Sequence, residues 1–327
     1  MQHRLAYVVQ KAMTSFFNTK VEIKSITLLY PLGLKATDLV IYDRNDSVML
    51  DLPHFEARFN PIELINRRIA VYNVRLRQPY VNFYTQHPDS IANYGFLFKP
   101  GNGAKKNNIF TLRVNAVNIV NGTFKYNNFS QPYQQGHFSK EHINAWHINA
   151  NVSVKALSKD TININCRSVS AKEQSGLHLH SIRGSFKYNK ERIELNQFRI
   201  ALENSDLGIE RLFYDKMSKE VEFSLSSAIL PCEFSPFVKQ LGTFTQPINL
   251  YCNLSGTTDS LMVNNLDFFT GHNTVTLSTN GIVNNILNID FKIGTPEQHL
   301  KLNINFKEYF SFHGETFRYV FWLRLVQ

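Results

Sequence analysis

In the stretch Ile69-Ala70-Val71-Tyr72-Asn73-Val74-Arg75-Leu76, the apolar residues Ile69, Val71, Val74 and Leu76 stand at i, i+2, i+5 and i+7. Two strand-like halves of period two are joined by a step of three. An even step keeps side chains on one face of a sheet, so the odd step sends the second half to the opposite face unless one extra residue bulges out of the ladder. The spacing therefore predicts a bent strand, with a bulge near Tyr72-Asn73. Six copies of the pattern carry the reading. The other copies are Val21, Ile23, Ile26, Leu28; Leu34, Ala36, Leu39, Ile41; Leu112, Val114, Val117, Ile119; Ile193, Leu195, Phe198, Ile200; and Leu261, Val263, Leu266, Phe268.

In most copies the skipped pair is polar, as in Lys24-Ser25, Thr37-Asp38, Asn196-Gln197 and Asn264-Asn265, which suits a kinked, unpaired backbone better than a flat strand. A second echo is Gly122-Thr123-Phe124-Lys125-Tyr126-Asn127, which returns as Gly184-Ser185-Phe186-Lys187-Tyr188-Asn189. At 327 residues with 43% hydrophobic and 19% charged residues, the chain is ordered and long for one closed sandwich. No Pro/Gly/Ser-rich linker divides it. The expected fold is mostly β: an elongated, repetitive antiparallel sheet over residues 21–307, preceded by an N-terminal amphipathic helix in 1–20. In the tail, 308–327, the spacing is lost and apolar residues crowd together, as at a truncated end.

The helix expectation rests on Leu5, Val8, Val9, Ala12, Met13, Phe16 and Phe17 at three- and four-residue steps, with Arg4, Lys11 and Lys20 as the only charges. Such a helix either covers one end of the sheet or lies on an anionic membrane surface through Leu5, Val9, Lys11 and Phe16. Turn chemistry predicts connections at Tyr30-Pro31-Leu32-Gly33, Asp43-Arg44-Asn45-Asp46 and Asn60-Pro61, the last followed by a helical turn over 62–65. A loop is expected over 86–108, hairpin turns at Asn121-Gly122 and Asn280-Gly281, and a short helix over 234–241 with Pro236 in its first turn. Further strands are expected over 143–154, 162–169, 177–188 and 193–202.

A formal net charge of +9 invites an anionic partner. The Lys and Arg are scattered, however, and no cluster exceeds pairs such as Arg67-Arg68 and Lys105-Lys106, so nucleic acid is not an expected partner. Cys166, Cys232 and Cys252 are too few and too widely spaced for a disulfide framework or a zinc signature. No run of about 18 apolar residues marks a membrane span, and no signal-peptide pattern opens the chain. Phosphate-binding glycine loops, nucleophile elbows and His-Glu-x-x-His are missing. His178-Leu179-His180 sets two imidazoles on one strand face, but nothing nearby in sequence completes a ligand set. No catalytic residue, metal or cofactor is expected.

What the sequence does offer is a surface. An open sheet with one apolar face presents a trough in which an alkyl chain gains about 0.8 kcal/mol per CH₂ removed from water. The same residues would equally face one another in a closed barrel or sandwich core, and periodicity does not separate the two.

Several segments taken in order resemble a known family. These are Thr19-Lys20-Val21-Glu22-Ile23, Leu34-Lys35-Ala36-Thr37-Asp38-Leu39-Val40-Ile41-Tyr42-Asp43, Ser47-Val48-Met49-Leu50, Arg68-Ile69-Ala70-Val71-Tyr72-Asn73-Val74-Arg75-Leu76 and Asn93-Tyr94-Gly95-Phe96-Leu97. Later come 117–127, Ser170-Ala171-Lys172-Glu173-Gln174-Ser175-Gly176-Leu177, and Gln197-Phe198-Arg199-Ile200 followed by Asn204-Ser205. Together they resemble the N-terminal part of TamB-like proteins of the AsmA superfamily, in the form found in Bacteroidetes-type bacteria. The resemblance implies a sheet curved into an open apolar groove that conducts phospholipid across the periplasm, or assists outer-membrane protein assembly as a chaperone-like scaffold. It makes the six apolar repeats groove-lining and the inner-membrane surface a partner. Members of the family carry a transmembrane helix just before the segment matching 7–10. They also end in a β domain that engages an outer-membrane β-barrel assembly protein. The chain is accordingly expected to be an N-terminal portion of such a protein.

Overall fold

A computed structural model describes residues 2–30, 32–59, 70–86, 91–98, 113–157, 160–270 and 276–284. Among the described residues a single α-helix, α1 (Gln2–Phe17), precedes sixteen strands joined in one sheet. They are β1 (Val21–Leu29), β2 (Gly33–Tyr42), β3 (Val48–Phe59), β4 (Ala70–Arg77), β5 (Tyr80–Thr85), β6 (Arg113–Val114), β7 (Ala116–Asn128) and β8 (His142–Leu157). There follow β9 (Thr161–Glu173), β10 (His178–Asn189), β11 (Arg192–Ala201), β12 (Asp206–Asp215), β13 (Glu220–Ile229), β14 (Ile248–Thr257), β15 (Ser260–Thr270) and β16 (Thr276–Asn284). Neighbours in the sheet are mostly neighbours in sequence, and β1 and β16 stand at its two ends.

One step departs from the antiparallel order expected from sequence. Val74 lies opposite Val117 and Tyr80 opposite Thr123 at an unchanged offset, so β4 and β5 form one creased strand that pairs with β7 in parallel. The chain after β5 must therefore return to the end where it began, as parallel pairing requires. Part of this crossover is a short 3₁₀ turn, Gly95–Phe98, and Phe96 is buried in the core.

The bends fall where the odd steps put them. Between β3 and β4, Arg58 faces Asn73 and Phe59 faces Val71, which leaves Tyr72 as the extra residue. Asn264 is extra where β15 meets β14. Asp38 and Gln197 take positive φ, 49° and 48°. The register is the same on both sides of Lys24 and Asp38, so β1 and β2 kink together and the Lys24–Asp38 ion pair, 3.0 Å, spans the crease.

The Asn-Gly hairpins are corrected. Asn121 has φ 54° inside the continuous strand β7, and Asn280-Gly281 lies inside β16. Asn and Gly tolerate positive φ in a bend as readily as in a primed hairpin turn, so the dipeptide does not tell them apart. The short helix expected over 234–241 is two 3₁₀ turns, Pro231–Phe234 and Lys239–Thr243, with Pro236 between them. The helical turn over 62–65 and the tail 308–327 lie outside the described residues. Gly184, at φ +133°, belongs to a bulge so close to β11 that an added Cβ would stand 2.5 Å from Phe198 Cα.

Candidate functional site

The cross-strand register sets Ile26, Ala36, Phe55, Leu76, Ile119, Ala150, Val169, Ile182, Ile200 and Leu207 in one row running from β1 to β12. A second row passes through Val154, Ile164, Phe186, Leu195, Leu212, Phe223, Leu254 and Val263 on successive strands from β8 to β15. The odd steps are absorbed so that these rows stay in phase, by an extra residue at Tyr72 and Asn264 and by matched kinks of both strands at Lys24 and Asp38.

At the first end of the sheet the row is covered. Val21, Ile23, Ile26, Ala36, Leu39, Ile41, Leu52 and Phe96 form a buried cluster with Ala6 of α1, and Val9, Met13 and Phe17 of the helix pack against it. Leu50, Phe55, Leu76, Phe83 and Tyr94 border it. Val71 is buried, Leu34 and Val74 are half-buried, and Leu28 is exposed at the end of its strand. Val9, one of the residues expected to touch a membrane, thus faces the core, whereas Lys11 is exposed. Ile69, Leu112 and the side chains of Leu5, Phe16 and Val114 lie outside the described residues.

Farther along, the same kind of row is only half-buried. Val117, Ile119, Ile193, Leu195, Phe198, Ile200, Val263, Leu266 and Phe268 are all intermediate in exposure, and Leu261 is buried. The principal packing partners of β8 through β15 are their neighbouring strands.

Two loops at one end of the strands meet. The Phe138 N–H donates to the Pro236 carbonyl at 2.9 Å, the His137 imidazole also bonds that oxygen, and the Phe138 and Phe237 rings lie 4.9 Å apart. One loop follows β7 and the other follows β13. The second loop is also tied to the β11–β12 turn, where Glu233 accepts from the Asn204 N–H at 2.6 Å and Ser205 Oγ accepts from the Leu230 N–H at 2.8 Å.

At the same end, Asp43 is 1% exposed and fully partnered. Its carboxylate accepts the N–H of Asn45 and of Ser47 at 2.8 and 3.0 Å and the Tyr84 hydroxyl at 2.6 Å. Burial opposes its charge, but these hydrogen bonds together hold the carboxyl below its ordinary value. Asp43 therefore locks the β2–β3 turn to β5. His178 lies 3.5 Å from Glu203, and among the described residues no three His, Cys, Asp or Glu side chains converge as a metal site. Cys166, Cys232 and Cys252 are free thiols, and burial raises the pKa of Cys166 and Cys252. No helix among the described residues is long and apolar enough to cross a membrane.

The sequence reading missed β12, β13 and β14. β12 repeats the diagnostic spacing through Leu207, Ile209, Leu212 and Tyr214, with a bulge at Glu210, and was legible by the same rule. No family model, curated protein or solved structure matches the chain.

Proposed function

We propose that the chain is a lipid-handling scaffold whose sheet curves into an open groove, the half-buried rows from β7 onward taking acyl chains. The observation that carries this reading is the single side-chain row that starts beneath α1 and continues through Ile119, Ala150, Val169, Ile182 and Ile200 without full burial. A continuous aliphatic row left short of full burial is a candidate surface for a ligand or partner. The loop contact supports curvature, because five strand spacings, about 24 Å on a flat sheet, separate β8 from β13. On the resemblance to TamB-like proteins, the cargo is phospholipid passing through the periplasm between inner and outer membrane. The same resemblance supplies the inner-membrane surface as one partner. An outer-membrane β-barrel assembly protein is the other, engaged through a C-terminal part of the family's longer members.

A photoreactive residue at Ile182 or Leu195 tests the reading, with outward-facing Arg183 and Arg199 as controls. Phospholipid crosslinked at the first pair and not at the second is expected. Equal labelling at all four positions, or none, defeats it. The free strand edges favour a second reading: among the described residues, β1 and β16 each pair on one side only. A chaperone-like scaffold would add a client strand there. Peptide recovered in the crosslinks, in place of lipid, identifies that case.

A further inference from the structure

The β1–β2 hairpin ends differently from the other short turns of the sheet. Leu28 is 72% exposed, Tyr30 95% and Leu32 37%. The turns Arg44-Asn45-Asp46-Ser47, Gln174-Ser175-Gly176, Lys190-Glu191 and Glu203-Asn204-Ser205 carry the polar residues that hairpin turns favour. The β12–β13 turn exposes one apolar residue, Met217, among polar neighbours, which is ordinary surface. Three together on one tip are not.

The helix brings more of the same chemistry to this end. Only Asn18, Thr19 and Lys20 join α1 to β1, and Ala6, Val9, Met13 and Phe17 all pack on the core, so α1 doubles back along β1. Its N-terminal half therefore lies toward the hairpin tip. There Tyr7 is 65% and Val8 61% exposed, on a helix without a single acidic residue. Lys11 on the helix is exposed. So is Arg58, paired across the ladder with Gly33 at the base of the hairpin. Among the described residues neither enters an ion pair, whereas Lys20 and Lys24 at the same edge of the sheet do.

We propose that the β1–β2 hairpin tip, together with the outer side of α1, docks on an anionic lipid bilayer surface. Leu28, Tyr30 and Leu32 enter the interface, and Lys11 and Arg58 rest among the headgroups. Aromatic and aliphatic side chains rimmed by uncommitted cations are what an anionic interface selects, since each such residue leaves water while its neighbours meet opposite charge. Charge complementarity decides the occupant: an acidic surface suits the uncommitted cations, and a second copy of this basic chain does not. This docking rests on the membrane-surface partner named above and gives it a face, while it is separate from lipid conduction by the sheet, and either can fail without the other.

Flotation of the full chain with vesicles of phosphatidylethanolamine and phosphatidylglycerol, against phosphatidylcholine alone, reads the interaction. Binding is expected only with the anionic lipid. Tyr30→Ser combined with Leu32→Ser should weaken it at least ~tenfold, and Lys11→Gln about fivefold, the equivalent of ~1 kcal/mol for one basic residue at the surface. Circular dichroism and urea midpoints should be unchanged in these variants, since the substituted side chains are exposed. A second readout is Tyr30→Trp in a Trp146→Phe, Trp322→Phe background, whose emission should shift to the blue on anionic vesicles. Equal flotation of the parent and Ser variants overturns the proposal, as does an unmoved emission. Self-association abolished by the Ser substitutions, without vesicle binding, also overturns it by making the occupant a second copy.

Discussion

The first strands of the sheet and the far strands are written in one spacing and packed in two ways. At β1 and β11 the apolar residues stand at the same i, i+2, i+5, i+7 positions. Yet Ile26 is 3% exposed beneath α1, whereas Leu195 and Phe198 are only half-buried. A strand's spacing fixes which face its side chains take and where it must bend, but a cover is a separate element with its own sequence. The first end has that element in α1 and in the crossover carrying Phe96; the far end has loop contacts at its edge instead.

The largest expected effect breaks or keeps this contrast. Ile26→Asp places an unpaired carboxylate under the helix and should cost about 3–5 kcal/mol, enough to unfold the first end. Leu195→Asp, on a face with access to water, should cost about 1.5 kcal/mol or less. Urea unfolding followed by hydrogen exchange, which localises the loss, measures both. Comparable costs would mean that the far face is covered too, and the open-groove reading falls with it.

A middle-sized effect compares two turns. Asp43 locks the β2–β3 turn, and Asp215 does the same for the β12–β13 turn, accepting the Met217 and Ser218 N–H groups at 2.9 and 3.1 Å and Arg192 Nε at 2.6 Å. Asp43→Asn puts an amide donor against groups that already donate and should cost about 2–3 kcal/mol. The folded Asp43 carboxyl binds its proton less readily than the unfolded one, so its contribution is complete above the unfolded value, about 3.9, and fades as pH falls through the lower folded value. The stability gap between parent and Asp43→Asn, followed by urea titration, should therefore close below about pH 4. Asp215→Asn should lose stability with the same sign and by less, because its cation partner Arg192 is largely exposed and water can replace it. A gap at Asp43 that persists into acid would show that the turn is held by shape rather than by charge.

How far the sequence could be read follows from the same division. The bend at Tyr72 and those at Asp38, Gln197 and Asn264 were legible because an odd step in a one-faced strand must be absorbed where it occurs, by an extra residue at Tyr72 and Asn264 and by a positive φ at Asp38 and Gln197. β13 and β14 escaped because they hold an unbroken register and need no bend: Val221, Phe223 and Leu225 and then Ile248, Leu250 and Cys252 simply alternate. The parallel step between β5 and β7 was not legible, since strand direction depends on the path of the crossover and not on any spacing within either strand. The apolar hairpin tip was read as an ordinary turn from Pro31 and Gly33, and only exposure sets it apart.

The smallest effect asks whether the bends themselves differ between the two regions. Asp38 sits over the covered end and Gln197 over the half-exposed one, yet both take nearly the same positive φ, 49° and 48°. If each bend is a local backbone property, substitutions should act alike in both places. A left-handed conformation costs a residue other than glycine about 1–2 kcal/mol, and glycine avoids that while losing about 0.5–1 kcal/mol of chain entropy on folding. Gln197→Gly should then stabilise by up to about 1 kcal/mol, and Gln197→Val, stiff at Cβ, should destabilise by about as much. Asp38→Gly and Asp38→Val should match these shifts within ~0.5 kcal/mol, because the Lys24–Asp38 pair they remove is solvent-exposed and contributes little. Thermal and urea midpoints of the four variants decide the matter. A far larger penalty at Asp38→Val than at Gln197→Val would locate the origin of the first bend in the helix-covered core, and the two regions would then differ in how they bend as well as in what covers them.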